Sequence, residues 1–244
     1  FTRASSHYLE QASAVVTAYP WTMAAWFRSD DVTTNQVILS IGDVLTNTEF
    51  WSMQASGAAG GDPVRMTCAT TVGGSVLCDT TTGFSANTWH HACCVGASAT
   101  SRTIFIDGGS SATNTVSSTP AGLDVTAVGR LSRLTPANYF SGRLAEAAIW
   151  NVALTSSEIL ALAQGRFPAN LLHSDALQLY APLWGVGSPE PDYSGKANHL
   201  TVTGAAQANH VPLRPAWAFQ AGEQGNDRRL VLPRFLHSYR QRRV

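Results

Sequence analysis

The sequence predicts an all-β protein, an antiparallel two-sheet sandwich with one short helix and an extended C-terminal arm. Three observations carry this reading. Short apolar or alternating runs recur at regular spacing, turn clusters separate them, and a single helix carries clear start and stop signals. A parallel sheet would need a helix at nearly every crossover, and this sequence offers only one.

The first expected strand, residues 21–28 (Trp21-Thr-Met-Ala-Ala-Trp-Phe-Arg28), is apolar on both alternating sets of positions, as suits a central strand covered on two sides. Residues 37–41 form a short buried run, and 50–54 and 64–71 alternate more clearly, with Val64, Met66 and Cys68 inward and Arg65 and Thr67 outward. The clusters Ser29-Asp30-Asp31, Gly60-Gly61-Asp62-Pro63, Gly73-Gly74 and Asp107-Gly108-Gly109 mark turns. Further strands are expected over 89–97, 102–107 and 139–150. For the helix, Thr155 stands at the N-cap and Glu158 three residues on completes a capping box. Leu154 and Ile159 form a hydrophobic staple, and Gly165 supplies the stop. After Gly165 come expected strands over 177–183 and 199–203, with the rigid turn Ser188-Pro-Glu-Pro191 between them. From Asn209 the chain reads as an extended connector and basic arm, which places a sandwich at 1–208 and the arm at 209–244.

Composition limits the function classes. The 244 residues are 44% hydrophobic, enough for a full core, but only 13% charged, with zero formal net charge. No global field therefore favours nucleic acid, a membrane surface or an acidic substrate. Locally the balance is uneven, because Arg228, Arg229, Arg234, Arg240, Arg242 and Arg243 cluster near the carboxyl end, whereas Lys196 is the sole lysine. No run approaches the ~18 apolar residues of a membrane span. The chain opens on Phe1 without a signal-peptide pattern, so a preceding segment is expected. Cys68 and Cys78 are equidistant from Gly73, so a hairpin turning there would set them opposite each other, as a bridge or as two ordinary strand side chains. The adjacent Cys93 and Cys94 must point to opposite faces of a strand and are expected in packing.

Several of these segments, taken together, closely resemble the laminin-G-like branch of the concanavalin A-like jelly-roll family. They are Trp21-Thr-Met-Ala-Ala-Trp26 with Phe27, Trp89-His-His-Ala with Ile104-Phe-Ile-Asp-Gly108, and Gly142-Arg-Leu-Ala-Glu-Ala-Ala-Ile-Trp-Asn-Val-Ala-Leu-Thr155. Tyr180-Ala-Pro-Leu-Trp184 with Asp192-Tyr-Ser-Gly-Lys-Ala-Asn-His-Leu200 is similar to the family's opening strand and turn, here placed after the helix, as if the order were rotated around the sandwich. The resemblance implies a jelly-roll fold but no single activity, since the family includes lectins, adhesive domains, glycosidases and virion proteins. The rotated order and trailing arm are similar to phage structural proteins.

The glycosidase members of the family carry carboxylates on one strand face. The sole Glu-x-Asp here, Glu190-Pro-Asp192, lies between prolines in a turn and lacks a third acid, so an enzyme is not expected. His90 and His91 read as structural. The resemblance suggests calcium as a cofactor, held by Asp192 and Glu146, although relatives commonly have Asp-Glu where this chain has Ala145-Glu146; Asp43 and Asp107 read as turn caps. Trp51, Tyr139, Trp184 and Tyr193, near turns, are the glycan-contact candidates. The arm residues Arg228, Arg229, Arg234, Phe235, Tyr239, Arg240, Arg242 and Arg243 interleave cation and apolar surface, which suits docking on a protein. The leading expectation is a non-enzymatic phage virion surface subunit, decoration or fibre-like, which binds other virion proteins or its own copies through the arm and has a possible glycan-binding role. The alternative is a carbohydrate-binding or adhesive module of a secreted or cell-surface protein. Nucleic acid is disfavoured as a partner.

Overall fold

The repeated short strands pair into two antiparallel sheets in the computed structural model, which describes residues 1–166, 169–185 and 187–211. In chain order the strands are β1 (Tyr8–Gln11), β2 (Trp21–Ser29), β3 (Asn35–Gly42), β4 (Phe50–Ser56), β5 (Pro63–Thr70), β6 (Gly74–Gly83) and β7 (His90–Ser98). They continue with β8 (Ser101–Ile106), β9 (Gly109–Asn114), β10 (Val125–Val128), β11 (Gly142–Trp150), β12 (Leu177–Ala181) and β13 (Thr201–Thr203), and one α-helix, α1 (Ser156–Ala163), follows β11. One sheet has the order β13-β1-β10-β3-β4-β5-β6 and the other β12-β11-β2-β7-β8-β9. The two sheets form a jelly-roll sandwich, as expected. No helix among the described residues is long and apolar enough to cross a membrane.

The double-sided apolar pattern of β2 is explained by its position between β11 and β7. Its odd-numbered residues Trp21, Met23, Ala25 and Phe27 join the inter-sheet core, while Ala24 faces a second apolar layer under α1. Trp21 stacks near Trp51 (ring centroids 5.0 Å apart) and Tyr19 closes the group. Cys94 sits in the inter-sheet core and Cys93 in the layer beneath the helix, so the adjacent pair does split between faces.

The helix begins where the sequence marks it. Thr155 accepts the Glu158 backbone N–H, and Glu158 accepts the Thr155 N–H at 2.7 Å in return. The staple residues Leu154 and Ile159 are both buried against Trp150 and Phe105, each stabilising the docked helix by roughly 1.5–3 kcal/mol. Gly165 follows the helix with φ +62°, a conformation that glycine adopts without strain.

Three elements depart from expectation. The β5–β6 hairpin turns through Thr71, Val72 and Gly73, one residue earlier than a turn centred on Gly73, so Cys68 lies opposite Val76 and Cys78 opposite Met66. Both thiols are free, and Cys68 instead donates to the Ser118 hydroxyl at 3.1 Å. Strand β11 slips register against β2 between Ala145 and Ala148, and this bulge puts Glu146 at φ +55°. His210 and Val211 fall within the expected arm but pack on the sandwich, with Val211 buried and His210 bonded to Pro182 of the loop after β12. Arg228, Arg229, Arg234, Phe235, Tyr239, Arg240, Arg242 and Arg243 lie outside the described residues.

Candidate functional site

Strand β12 is the edge of its sheet, and an edge strand leaves backbone groups without a ladder partner. Here a turn meets them. Asp192 accepts the Tyr180 N–H and the Ser194 N–H at 2.9 Å each through Oδ1, and the Ser194 hydroxyl (2.7 Å) and Asn198 N–H (2.8 Å) through Oδ2. The Tyr193 N–H donates to the Tyr180 carbonyl at 2.7 Å, and the Asn198 amide donates to the Gln178 carbonyl, also at 2.7 Å. A two-way backbone bridge between Glu190 and Leu200 closes the base of the turn.

Held this way, the turn projects Tyr193 outward beside Trp184. Their rings lie 5.4 Å apart at 60°, and 44% and 45% of their surfaces remain exposed. Two large aromatics left in water cost apolar hydration, and among the described residues the other tryptophans and tyrosines are buried or half-buried. Leu183 and Gly185, the neighbours of Trp184 on either side, line a cavity of about 330 Å³. Its wall continues through Arg143, Ser188, Glu190, Gln207, Asn209 and His210, and its floor through Leu9, Leu144 and Val202. An apolar floor, a few convergent polar groups and a volume near the lower end of small-molecule sites describe a pocket for one compact polar ligand.

Other expected site residues are placed elsewhere. Trp51 is 0% exposed between the sheets, so it has no face to offer a glycan. The signal was present in the sequence, since Trp51 alternates in phase with Met53 and Ala55, which are also fully buried. Tyr139 is half-buried and packs on Tyr8 at 6.3 Å, apart from the Trp184–Tyr193 pair. The two acids suggested for calcium are both buried and both occupied. Asp192 spends its oxygens on the turn, and Glu146 accepts the Tyr180 hydroxyl at 2.6 Å through Oε2 and faces His210 Nε2 at 3.2 Å through Oε1. Among the described residues no group of three or more His, Cys, Asp or Glu side chains comes together as a metal site would require.

His210 is the contact that sequence reasoning missed. Its Nδ1 faces the Val211 carbonyl and its Nε2 faces both the Pro182 carbonyl and Glu146, so every neighbour is an acceptor. The bond to Glu146 raises the His210 pKa above the ordinary imidazole value, against the opposing effect of burial. His210 thus pins the 204–210 wall of the cavity to the β11 bulge. Burial, reinforced by the Glu146 charge, raises the Tyr180 hydroxyl pKa, so this group stays a donor. On the same side of the sheet, burial lowers the His91 pKa to about 4, which keeps it neutral beside Trp26.

The family model for the concanavalin A-like lectin/glucanases superfamily, laminin G type, matches residues 3–160. The chain belongs to this superfamily. The aromatic pair and the turn beneath it lie beyond the matched residues. No curated protein matches the chain in sequence. Among solved structures, it is similar to a protein of Bacteroides ovatus ATCC 8483 provisionally described as carbohydrate binding (20% identity, TM-score 0.57, covering 85% of this chain and 60% of that one). It is also similar to the CBM40 module of the Ruminococcus gnavus IT-sialidase, solved with α2,3-sialyllactose (17% identity, TM-score 0.50, 60% and 84% covered). A third likeness is to domain 4 of a GH43 extracellular arabinanase from Geobacillus stearothermophilus, solved with arabinotriose (18% identity, TM-score 0.50, 61% and 68% covered). At these identities the likeness speaks to the fold.

Proposed function

We propose that this protein is a non-catalytic carbohydrate-binding module of an extracellular or cell-surface protein, and that Trp184 and Tyr193 form its sugar platform. The observation that carries the reading is the exposed aromatic pair beside the cavity, in which Tyr193 sits on the turn that Asp192 fixes and Trp184 packs on it from the segment after β12. A pyranose ring presents apolar C–H faces and equatorial hydroxyls. Two fixed aromatic faces beside a small polar-rimmed pocket are complementary to both, and a preformed platform loses little entropy on binding. The superfamily and the three structural likenesses, each named for a carbohydrate or a carbohydrate-binding role, support the same class.

The virion-subunit reading rests on the basic arm, which lies outside the described residues, and on a likeness of segment order. The module reading has a candidate site among the described residues and is preferred. Its test is a glycan array followed by calorimetric titration of the best ligand. We expect binding in the micromolar to millimolar range that falls about ten-fold or more in Trp184→Ala, on the order of 1.4 kcal/mol. An array without any hit, or a Trp184→Ala protein that binds as the parent does, overturns the reading.

A further inference from the structure

Where two strands run side by side, like charges directly opposite each other repel, and a fold normally relieves them with nearby opposite charges. Strands β11 and β2 place Arg143 directly opposite Arg28. Of the two, Arg28 reaches Asp30 at 3.5 Å, a long contact to a half-exposed carboxylate. Arg143 has no hydrogen-bond or ion-pair partner for its guanidinium among the described residues. Four arginines of the sandwich are matched, Arg3 with Asp31 at 2.7 Å, Arg65 with Asp79 at 2.6 Å, Arg130 with Glu10, and Arg102 with backbone carbonyls, whereas Arg133 reaches only the Thr135 carbonyl and Arg166 is exposed to water. With Asp30 the one carboxylate in contact with the two guanidinium groups among the described residues, the Arg28–Arg143 pair keeps an excess of positive charge.

Its position gives it a use. Arg143 lines the 330 Å³ cavity beside Trp184, in common with Ser188, Gln207, Asn209 and the buried carboxylate of Glu190, which accepts the Gly185 N–H at 3.1 Å. Two residues before Arg28, on the same face of β2, Trp26 is half-buried and leaves part of its indole in water. Guanidinium groups bind carboxylate and sulfate oxygens with paired N–H donors, and two of them on adjacent strands can share one anion.

We propose that the Arg28–Arg143 pair is an anion subsite, and that the sugar bound at this cavity is an acidic one, with its carboxylate or sulfate ester between the two guanidinium groups. The anion supplies a second counter-charge beside Asp30, so its binding relieves repulsion already present in the free protein. This inference rests on the glycan-binding reading above and adds the ligand class to it.

The test is titration of the intact protein at low and high salt with matched oligosaccharides. The arms are neutral lactose, sialylated lactose, a galacturonic acid trimer and 6-sulfated lactose. Expected is a preference of about ten-fold or more for at least one acidic arm over its neutral counterpart, weakening as salt rises from 20 to about 200 mM. That preference should collapse toward unity in Arg143→Gln and fall in Arg28→Gln. Carboxylated and sulfated arms distinguish the two sources of the anion. Thermal melting guards against misfolding: removing one of two repelling charges should leave the melting temperature level or raise it. Equal affinity for neutral and acidic arms, or an acidic preference unchanged in both variants, overturns this inference and leaves the glycan-binding reading standing. No affinity for any arm, together with an empty glycan array, overturns both.

Discussion

Asp192 accepts the backbone N–H of Tyr180 at 2.9 Å, and through that bond a buried carboxylate both closes the open edge of β12 and sets the turn that carries Tyr193. The acid first suggested as a metal ligand is therefore a structural part of the platform. Asp192→Ala leaves the Tyr180, Ser194 and Asn198 donors without their acceptor, and hydrogen bonds to a charged group are worth more than neutral ones. The expected loss is about 2–4 kcal/mol, read as a lower midpoint in urea denaturation, with Asp192→Asn losing less. An unchanged midpoint in Asp192→Ala would show that the turn stands without it.

Two histidines give opposite pH signatures. The His210 pKa is raised in the fold, so its contribution is fully present below the unfolded value near 6.5 and is lost as pH rises through the folded one. The stability difference between the parent and His210→Gln should shrink as pH rises above about 6.5. A difference that stays constant as pH rises would mean the imidazolium contact with Glu146 contributes nothing.

His91 behaves in reverse. Its pKa is lowered to about 4 by burial, so between pH 6.5 and 4 the unfolded chain binds the proton that the fold refuses. Stability should fall by up to about 3 kcal/mol over this interval, and His91→Phe should flatten that slope. Urea midpoints measured at several pH values separate this effect from that of His210, since the two windows meet near 6.5.

The tryptophans divide by role. Trp51→Ala empties a fully buried site and should cost about 3–5 kcal/mol. Trp184→Ala should change stability by less than about 0.5 kcal/mol while weakening sugar binding. If the two variants lost stability equally, Trp184 would be a packing residue and the platform would fail with it.

The four thiols are buried and unbridged, and burial raises the pKa of Cys78, Cys93 and Cys94. A thiol reagent should label none of them in the native protein and all four after denaturation, and reductant should leave the melting temperature unchanged. Rapid native labelling, or a melting temperature that falls on reduction, would contradict this arrangement.

The parts of this fold that were legible in the sequence are those set by local chemistry. The Thr155–Glu158 capping box, the Leu154–Ile159 staple and the two-sided burial of β2 each depend on residues within a turn or a strand of one another. Register was less legible, because it depends on the partner strand. One residue of difference in the β5–β6 turn moved Cys78 from Cys68 to Met66, and the Glu146 bulge is a property of β11 against β2 together. Strand β9, Gly109–Asn114, was not expected because its composition is small and polar, and it is set as an edge strand by its pairing with β8. At the site, Trp184 and Tyr193 were legible as aromatics near turns, but proximity to a turn could not separate them from Trp51, which alternation places inside. The contact between Glu146 and His210 joins residues far apart in sequence and left no local mark.

The central claim, a sugar platform at Trp184 and Tyr193, is tested most directly by NMR of the protein titrated with the best oligosaccharide from the array. The predicted result is saturable shifts of the Trp184 indole N–H and the Tyr193 amide, accompanied by the residues of the adjoining cavity wall. Saturable binding that leaves both resonances in place and moves another face of the sandwich would contradict it.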